Sequence, residues 1–248
     1  MSGSSTHRST SGIPQPPLAS YGILKTAIGG DKFDKLSQQE LSDRVYDGLL
    51  LKLNEGQGEQ HQIVSLAIAG LCLQGQHHTH KYWVDRRLNK SCWIVLAPAL
   101  SIDSVNDSNN WTWKEEQEEC YGGNGIVRIA KIKRVSWVAI SGTCKTTTLS
   151  PKTAYQVEII VKMSEESDGW EAPVNLSLSL PDGHKQERVE YLKRKRRDSE
   201  PEPWQEITIG TFETTPRTVG EISFSLKQTG GHWKSGLLVK GVQLRPLA

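Results

Sequence analysis

The chain has 248 residues, 36% of them hydrophobic and 23% charged, with a formal net charge of +2. That length supports one good core plus an appendage, and the near-balanced charge calls for neither nucleic acid nor a membrane surface. The unusual figure is eight Trp against three Phe. Such a surplus of flat indole faces suits a module that stacks sugars, with at least half of the rings expected in the core.

Residues 1–20 are Ser, Thr, Gly and Pro with few apolar anchors, and are expected to be a disordered tail. The opening MSGSSTHRST carries no apolar segment of the secretory kind. The expected location is therefore the reducing cytoplasm and nucleus, where the sequons at Asn89, Asn110 and Asn175 are expected to go unused. The cysteines Cys72, Cys92, Cys120 and Cys144 are far apart and form no C-x-x-C pair. Cys92 sits in an apolar run, which suggests a buried thiol.

Ser37-Gln-Gln-Glu40 has the spacing of a capping box, and Leu41, Val45, Leu49 and Leu53 follow at helical intervals. One helix is therefore expected over Gln38–Leu53, stopped by Asn54 and Gly56. The apolar run Ile63–Leu73 is too short for a bilayer, which takes about 20 residues, and reads as a buried helix or local patch. His77-His-Thr-His80 lacks carboxylate or thiolate partners at a metal-ligand spacing and reads as a surface linker. The segment 21–80 is thus helical and linker-like, and no metal or cofactor is called for.

From Lys81 the period changes to two. Tyr155, Val157, Ile159, Val161 and Met163 alternate with polar residues, as do Val174, Leu176, Leu178 and Leu180, and Ile222, Phe224 and Leu226. Such strands bury one face and wet the other, as antiparallel sheets do. Turn signals fall at Asn124-Gly125, Pro181-Asp182-Gly183 and Gly230-Gly231. The expected fold of 81–248 is one mostly β domain, a sandwich or barrel.

The polar stretch Asp103–Trp113, DSVNDSNNWTW, follows an apolar strand and reads as a solvent-facing loop. Trp111 is its candidate stacking ring, with Trp113 on the same strand face. Asp107 and Asn109 could hydrogen-bond sugar hydroxyls. The competing reading has both rings capping the end of the sandwich, and for Trp113 the balance leans that way. Trp93 and Trp137 lie in apolar strands and read as core.

Lys193-Arg194-Lys195-Arg196-Arg197 is the densest charge and lies in or beside an exposed loop. It is a candidate nuclear-import signal, with a solvated charge run as the alternative. RNA binding there lacks interleaved stacking aromatics. Glu115, Glu116, Glu118 and Glu119 read as a solvated run, and no catalytic acid–base pair or nucleophile motif is present.

Five segments carry a family resemblance in order: KYWVDRRLNKSCWIVLAPALSI (Lys81–Ile102), VSWVAISG (Val135–Gly142), LSPKTAYQVEIIVKM (Leu149–Met163), GWEAPVNLSLSLPDGHKQER (Gly169–Arg188) and GGHWKSGLLVKGVQLRP (Gly230–Pro246). Together they resemble the phloem protein 2 family, the Nictaba-like plant lectins, over about two-thirds of the chain. The resemblance implies a jelly-roll-like antiparallel β-sandwich preceded by a short helical N-terminal segment. It also implies a non-catalytic, homodimeric lectin for N-acetylglucosamine oligomers or N-glycan cores, on glycoproteins of the cytoplasm and nucleus or of the phloem. A sugar-independent protein or RNA carrier and a glycan hydrolase are the rival readings. Glu221 matches a carboxylate the family carries ahead of its final Trp-Lys-Ser-Gly and is a candidate acceptor for sugar hydroxyls, with an ordinary wet-face strand residue as the favoured alternative, and Trp233 is expected as a structural plug. Two departures stand out. Family members read SITW and then YWTW around the polar stretch, where this chain has Ser104 and Asn110 in place of the Trp and Tyr. The family also passes almost directly from Asp47–Leu51 to Lys81–Asp85, whereas residues 54–80 intervene here as a second helix, a flexible insertion or a gene-model artefact.

Overall fold

The computed structural model describes residues 15–51, 77–120, 123–192 and 202–248. The expected basic run Lys193–Arg197 and the apolar run Ile63–Leu73 lie outside the described residues, as does most of the 1–20 tail.

Helix α1 (Leu18–Ile28) begins inside the stretch expected to lack order. It has a reason to fold: Ile23 and Leu24 are buried, and the Ser20 hydroxyl lies 2.7 Å from the Tyr82 hydroxyl. After the short helix α2 (Gly30–Phe33), α3 (Gln38–Asp47) starts with the expected capping box. Ser37 Oγ accepts from the Glu40 N–H, and the Ser37 N–H donates to Glu40 Oε2 at 2.9 Å. The helix ends six residues before the expected Leu53. Gly48, at φ 99°, breaks the helix, and Leu49–Leu51 form strand β1 against β2 (His80–Asp85). Leu49 and Leu51 are buried as alternate strand residues, not as a helical stripe.

The remaining strands are β3 (Lys90–Leu96), β4 (Ser101–Ile102), β5 (Trp111–Cys120), β6 (Gly123–Ile132), β7 (Val138–Lys145), β8 (Ala154–Asp168), β9 (Val174–Ser179), β10 (Lys185–Glu190), β11 (Gln205–Glu213), β12 (Glu221–Gln228) and β13 (Ser235–Pro246). They form two antiparallel sheets, as the period-two pattern predicts. The smaller runs β10-β9-β12-β7-β4. The larger is organised on β13, which pairs along one edge with β8, itself paired with β11. Its other edge is shared between β6 at Leu238–Val239 and β3 at Gly241–Leu244. The main core lies between the sheets, where Tyr155, Val157, Ile159, Val161 and Met163 meet Ile222, Phe224 and Leu226.

The β5–β6 hairpin leaves the large sheet after its short pairing with β13. Val127 and Ile129 of β6 form a second buried cluster with Ile94, Leu96, Ile160 and Leu238. Both faces of β8 are therefore covered around Ile160, which explains its unbroken burial from Val157 to Val161. Glu118 anchors this arm. It accepts from Lys81 Nζ at 2.6 Å and pairs with Lys240. Burial alone would raise its pKa, but the hydrogen bonds from Lys240 and Lys81 outweigh that and hold it below the usual carboxylate value. The glutamate run is thus not uniformly solvated. Asn124 and Gly125 sit within β6, opposite Glu119 and Glu118, rather than in a turn. At Gly125 any Cβ would come within 2.1 Å of Leu50, so the arm closes only over a glycine. The other two expected turns are present, at Gly183 with φ 86° and at Gly230-Gly231 between β12 and β13.

His80 is likewise not in a surface linker: it is the first residue of β2 and is buried. Cys92 is a buried thiol as expected, its pKa pushed up to about 12 chiefly by burial. No described helix is long and apolar enough to cross a membrane.

Candidate functional site

The polar stretch Asp103–Asn110 does form an exposed loop, bent on itself by Asp107. The Asp107 carboxylate accepts from the Asn109 N–H at 2.9 Å and from Asn110 Nδ2 at 3.2 Å. The Asp107 side chain is thus spent on shaping the loop. The loop docks on the segment after β6, where Asn110 O accepts from the Lys133 N–H at 2.8 Å and Lys133 Nζ donates to Ser108 O at 2.8 Å.

Trp111 is not the open ring expected of it. It is 2% exposed and belongs to the main core. As the first residue of β5 it pairs with Ile132, and its indole N–H donates to the Asp103 carbonyl at 3.0 Å. Trp113 is half-buried, packs on the same core and carries the Arg128 guanidinium 4.6 Å from its ring. The capping reading therefore holds for both.

The exposed indoles are two others. Trp137 and Trp233, expected as core and plug, are each 54% exposed. They flank a recess of about 120 Å³ whose walls include Asp103, Ser104 and Asn110. The polar loop thus contributes to the site through its first residues and its end, and not through Asp107, Asn109 or Trp111. Glu221 is remote as well. It pairs with Lys145 at one end of β12, whereas Gln228, at the other end, pairs with Val138 beside the recess. Seven strand steps separate the two ends, about 23 Å.

Local pairing explains how the two indoles meet. Val135 and Lys234 form an isolated antiparallel bridge, with N–O distances of 3.0 and 2.7 Å. The bridge sets Ser136 and Trp137 alongside Trp233. Beneath them lies Lys234, a fully buried lysine whose ammonium donates to the carbonyls of Ser136 at 2.6 Å, Gly230 at 2.9 Å and His232 at 2.8 Å. One side chain thus ties the loop carrying Trp137 to the loop carrying Trp233. Burial lowers its pKa. Gly169 backs the second loop: at φ 77° it lets the Trp233 carbonyl pass 2.0 Å from where a Cβ would stand. Next to it, Trp170 donates its indole N–H to the Ser235 carbonyl at 2.8 Å.

Each ring is also oriented. The Trp137 N–H donates to the Asp103 carboxylate, and the Arg134 guanidinium lies 4.7 Å from the Trp233 ring. With its carbonyl on Trp111 and its carboxylate on Trp137, Asp103 joins the core to the rim. The recess is shallow and smaller than an enclosing ligand site, which holds several hundred Å³. Chemically it can offer flat apolar faces, a carboxylate and an amide, enough for one ring face or one acetamido group. Among the described residues no group of three His, Cys, Asp or Glu is placed to hold a metal.

A sequence signal for Trp137 exists. Val138 and Ile140 point inward, so Trp137, Ala139 and Ser141 must point outward. Trp233 carries no such signal, because its neighbours Gly231, His232 and Lys234 have no strand alternation.

A family model described as Phloem protein 2 matches residues 90–246. The Arabidopsis thaliana protein phloem protein 2-like A1 is 38% identical over 167 residues, covering 67% of this chain and 65% of that protein, so the chain spans just under two thirds of that relative's length. A Luffa acutangula protein named lectin is 34% identical over 179 residues, covering 72% of this chain and 80% of that protein. The CBM22-1 xylan-binding domain from Paenibacillus barcinonensis Xyn10C aligns at 15% identity over 56% of this chain and 86% of that one, with a TM-score of 0.30.

Proposed function

The chain belongs to the phloem protein 2 family, and from that premise we propose that it is a non-catalytic, carbohydrate-binding lectin whose site is the recess between Trp137 and Trp233. The observation that carries this reading is the pair of half-exposed indoles facing one recess with the polar groups of Asp103 and Asn110 between them. Sugar C–H faces lie on the indoles while hydroxyl or acetamido groups bond the carboxylate and the amide. The ligand class is N-acetylglucosamine oligomers or the core of N-glycans. Binding at one shallow recess is weak, and a homodimer supplies avidity.

The two residues that depart from the family's aromatic pattern fall in this same place. Ser104 and Asn110, where the family resemblance leads one to expect Trp and Tyr, both line the recess. Trp137 and Trp233 provide the aromatic faces that those positions lack. The departures also favour the sugar-independent carrier as second reading, and one experiment decides between them. On a glycan array with and without chitotriose competition, displaceable signal on N-acetylglucosamine glycans is expected, and silence on every sugar with retained partner binding sinks the lectin reading.

Trp137→Ala should weaken chitotriose binding about five-fold by titration calorimetry, since one stacking face contributes roughly 1 kcal/mol. The ring is at the rim, so the melting temperature should hardly move. Ser104→Trp should do the reverse, adding an indole to the opposite wall and raising affinity several-fold. Ser104 already sits at φ 58°, in the left-handed region, so the new side chain inherits that backbone. A melting curve on each variant separates a change in binding from a change in folding.

A further inference from the structure

The outer face of the small sheet is continuous with the recess. In register across its five strands run Ser101, Ser141, Ser225, Ser177 and Glu187, on β4, β7, β12, β9 and β10 in turn. The four serines point away from the core, because their strand neighbours Ile102, Ile140, Leu226, Leu176 and Leu178 are buried, and Glu187 is exposed on the edge strand β10. The row is a strip of hydroxyls, with Ser177 and Ser225 Oγ atoms 2.8 Å apart. Trp137 and Asp103 share this face. Ile102 pairs with Ile140, so Asp103 stands opposite Ala139, two residues from Trp137.

At the far side of the strip is a groove of about 330 Å³ lined by Ser177, Ser225, Lys185, Glu187, Arg188 and Lys227, among others. Its charge is not balanced. Lys185 pairs with Glu187 at 2.5 Å and Arg188 with Glu190 at 3.0 Å, whereas Lys227 is exposed and has no acidic partner among the described residues. No aromatic ring lines it, so an occupant is held by charge and hydroxyl contacts rather than by stacking. Lys227 on β12 pairs with Ala139 on β7, two residues from Trp137, so it stands one strand gap, about 5 Å, from the strand that follows that ring, a step that adjoining sugar units span.

We infer that this face is a second carbohydrate subsite, which takes the carboxylate of an acidic sugar, a uronate, at Lys227 while the same glycan's neutral end lies on Trp137 and Trp233. The inference rests on the recess being a sugar site. Lys227 donates to the uronate carboxylate, and Ser225 and Ser177, which line the same groove, bond the sugar hydroxyls.

The test titrates trigalacturonate and chitotriose separately into the full chain and into its Lys227→Glu variant. Trigalacturonate should bind, weaken as salt is raised, and lose about ten-fold in affinity in Lys227→Glu, while chitotriose affinity stays unchanged. Trigalacturonate that does not bind, or binds Lys227→Glu equally well, overturns the subsite and leaves the neutral lectin reading standing. Trigalacturonate binding with the Lys227 dependence, but no chitotriose binding, keeps the subsite and sinks the N-acetylglucosamine reading. If neither sugar binds, both fall. Sodium phosphate that displaces trigalacturonate at matched ionic strength also overturns the proposal, because the groove then selects any anion rather than an acidic glycan.

Discussion

Lowering the pH from 7 to 4 should remove about 3 kcal/mol of folding stability through His80 alone. The side chain is 6% exposed on β2, its ring centroid 5.6 Å from that of Trp93, with Nδ1 3.0 Å from the Thr79 hydroxyl. Burial pushes its pKa down to about 4 from an ordinary 6.5. The imidazole therefore stays neutral in the fold while the unfolded chain takes up a proton. Its contribution is complete above pH 6.5, fades as the pH falls, and is gone below about pH 4, where both states are charged. A typical domain has only about 5–15 kcal/mol in total, so the loss is a large share. Denaturant unfolding at a series of pH values measures it. His80→Phe keeps a ring against Trp93 and removes the titration, so its stability should be much flatter over this window. Equal slopes for the two proteins would sink the assignment. Once the pH falls below the ordinary carboxylate value of 4.5, Glu118 adds to the loss, because a carboxylate held below its ordinary pKa stops stabilising the fold as it is protonated.

Period-two patterning made the sheets legible, since a strand with one buried face must alternate and β8, β9 and β12 do. The capping box made the start of α3 legible for a similarly local reason. The end of α3 was not. Leu49 and Leu53 fit a helical stripe, and only the pairing of Leu49–Leu51 with His80–Tyr82, across residues distant in sequence, decides for a strand. The same limit applies to the site. Composition located the exposed loop, but which rings it leaves open depends on contacts between remote segments. Trp111 is drawn into the core by pairing with Ile132 and by the Asp103 carbonyl. Trp137 was misread because the apolar letters around it hide its outward parity. Nothing local signals the burial of Lys234, because it needs a carbonyl 98 residues away.

Lys234→Met should therefore be the most damaging single change at the site. Methionine keeps most of the apolar stem but strips the donors from three part-buried carbonyls. A buried polar group left without its partner costs about 1–3 kcal/mol, so a loss of about 3–5 kcal/mol is expected by denaturant unfolding. The loss should not stop at stability. With the Ser136, Gly230 and His232 carbonyls released, the loops bearing Trp137 and Trp233 separate, and the recess between the indoles loses its spacing. Chitotriose affinity, measured well below the melting point, should fall at least about ten-fold, more than for Trp137→Ala, since both rings are displaced together. Acrylamide quenching of tryptophan fluorescence should rise at the same time, a readout that needs no ligand. Lys234→Arg is the second arm and carries the test if the methionine variant fails to fold. It keeps the charge, but a planar guanidinium cannot place its donors on three converging carbonyls as an ammonium does, so it should rescue stability in part and affinity less. If Lys234→Met folds, melts like the wild type and binds chitotriose equally well, the two loops are held by the Val135–Lys234 backbone bridge and the Gly169 contact, and the buried ammonium has no part in setting the site.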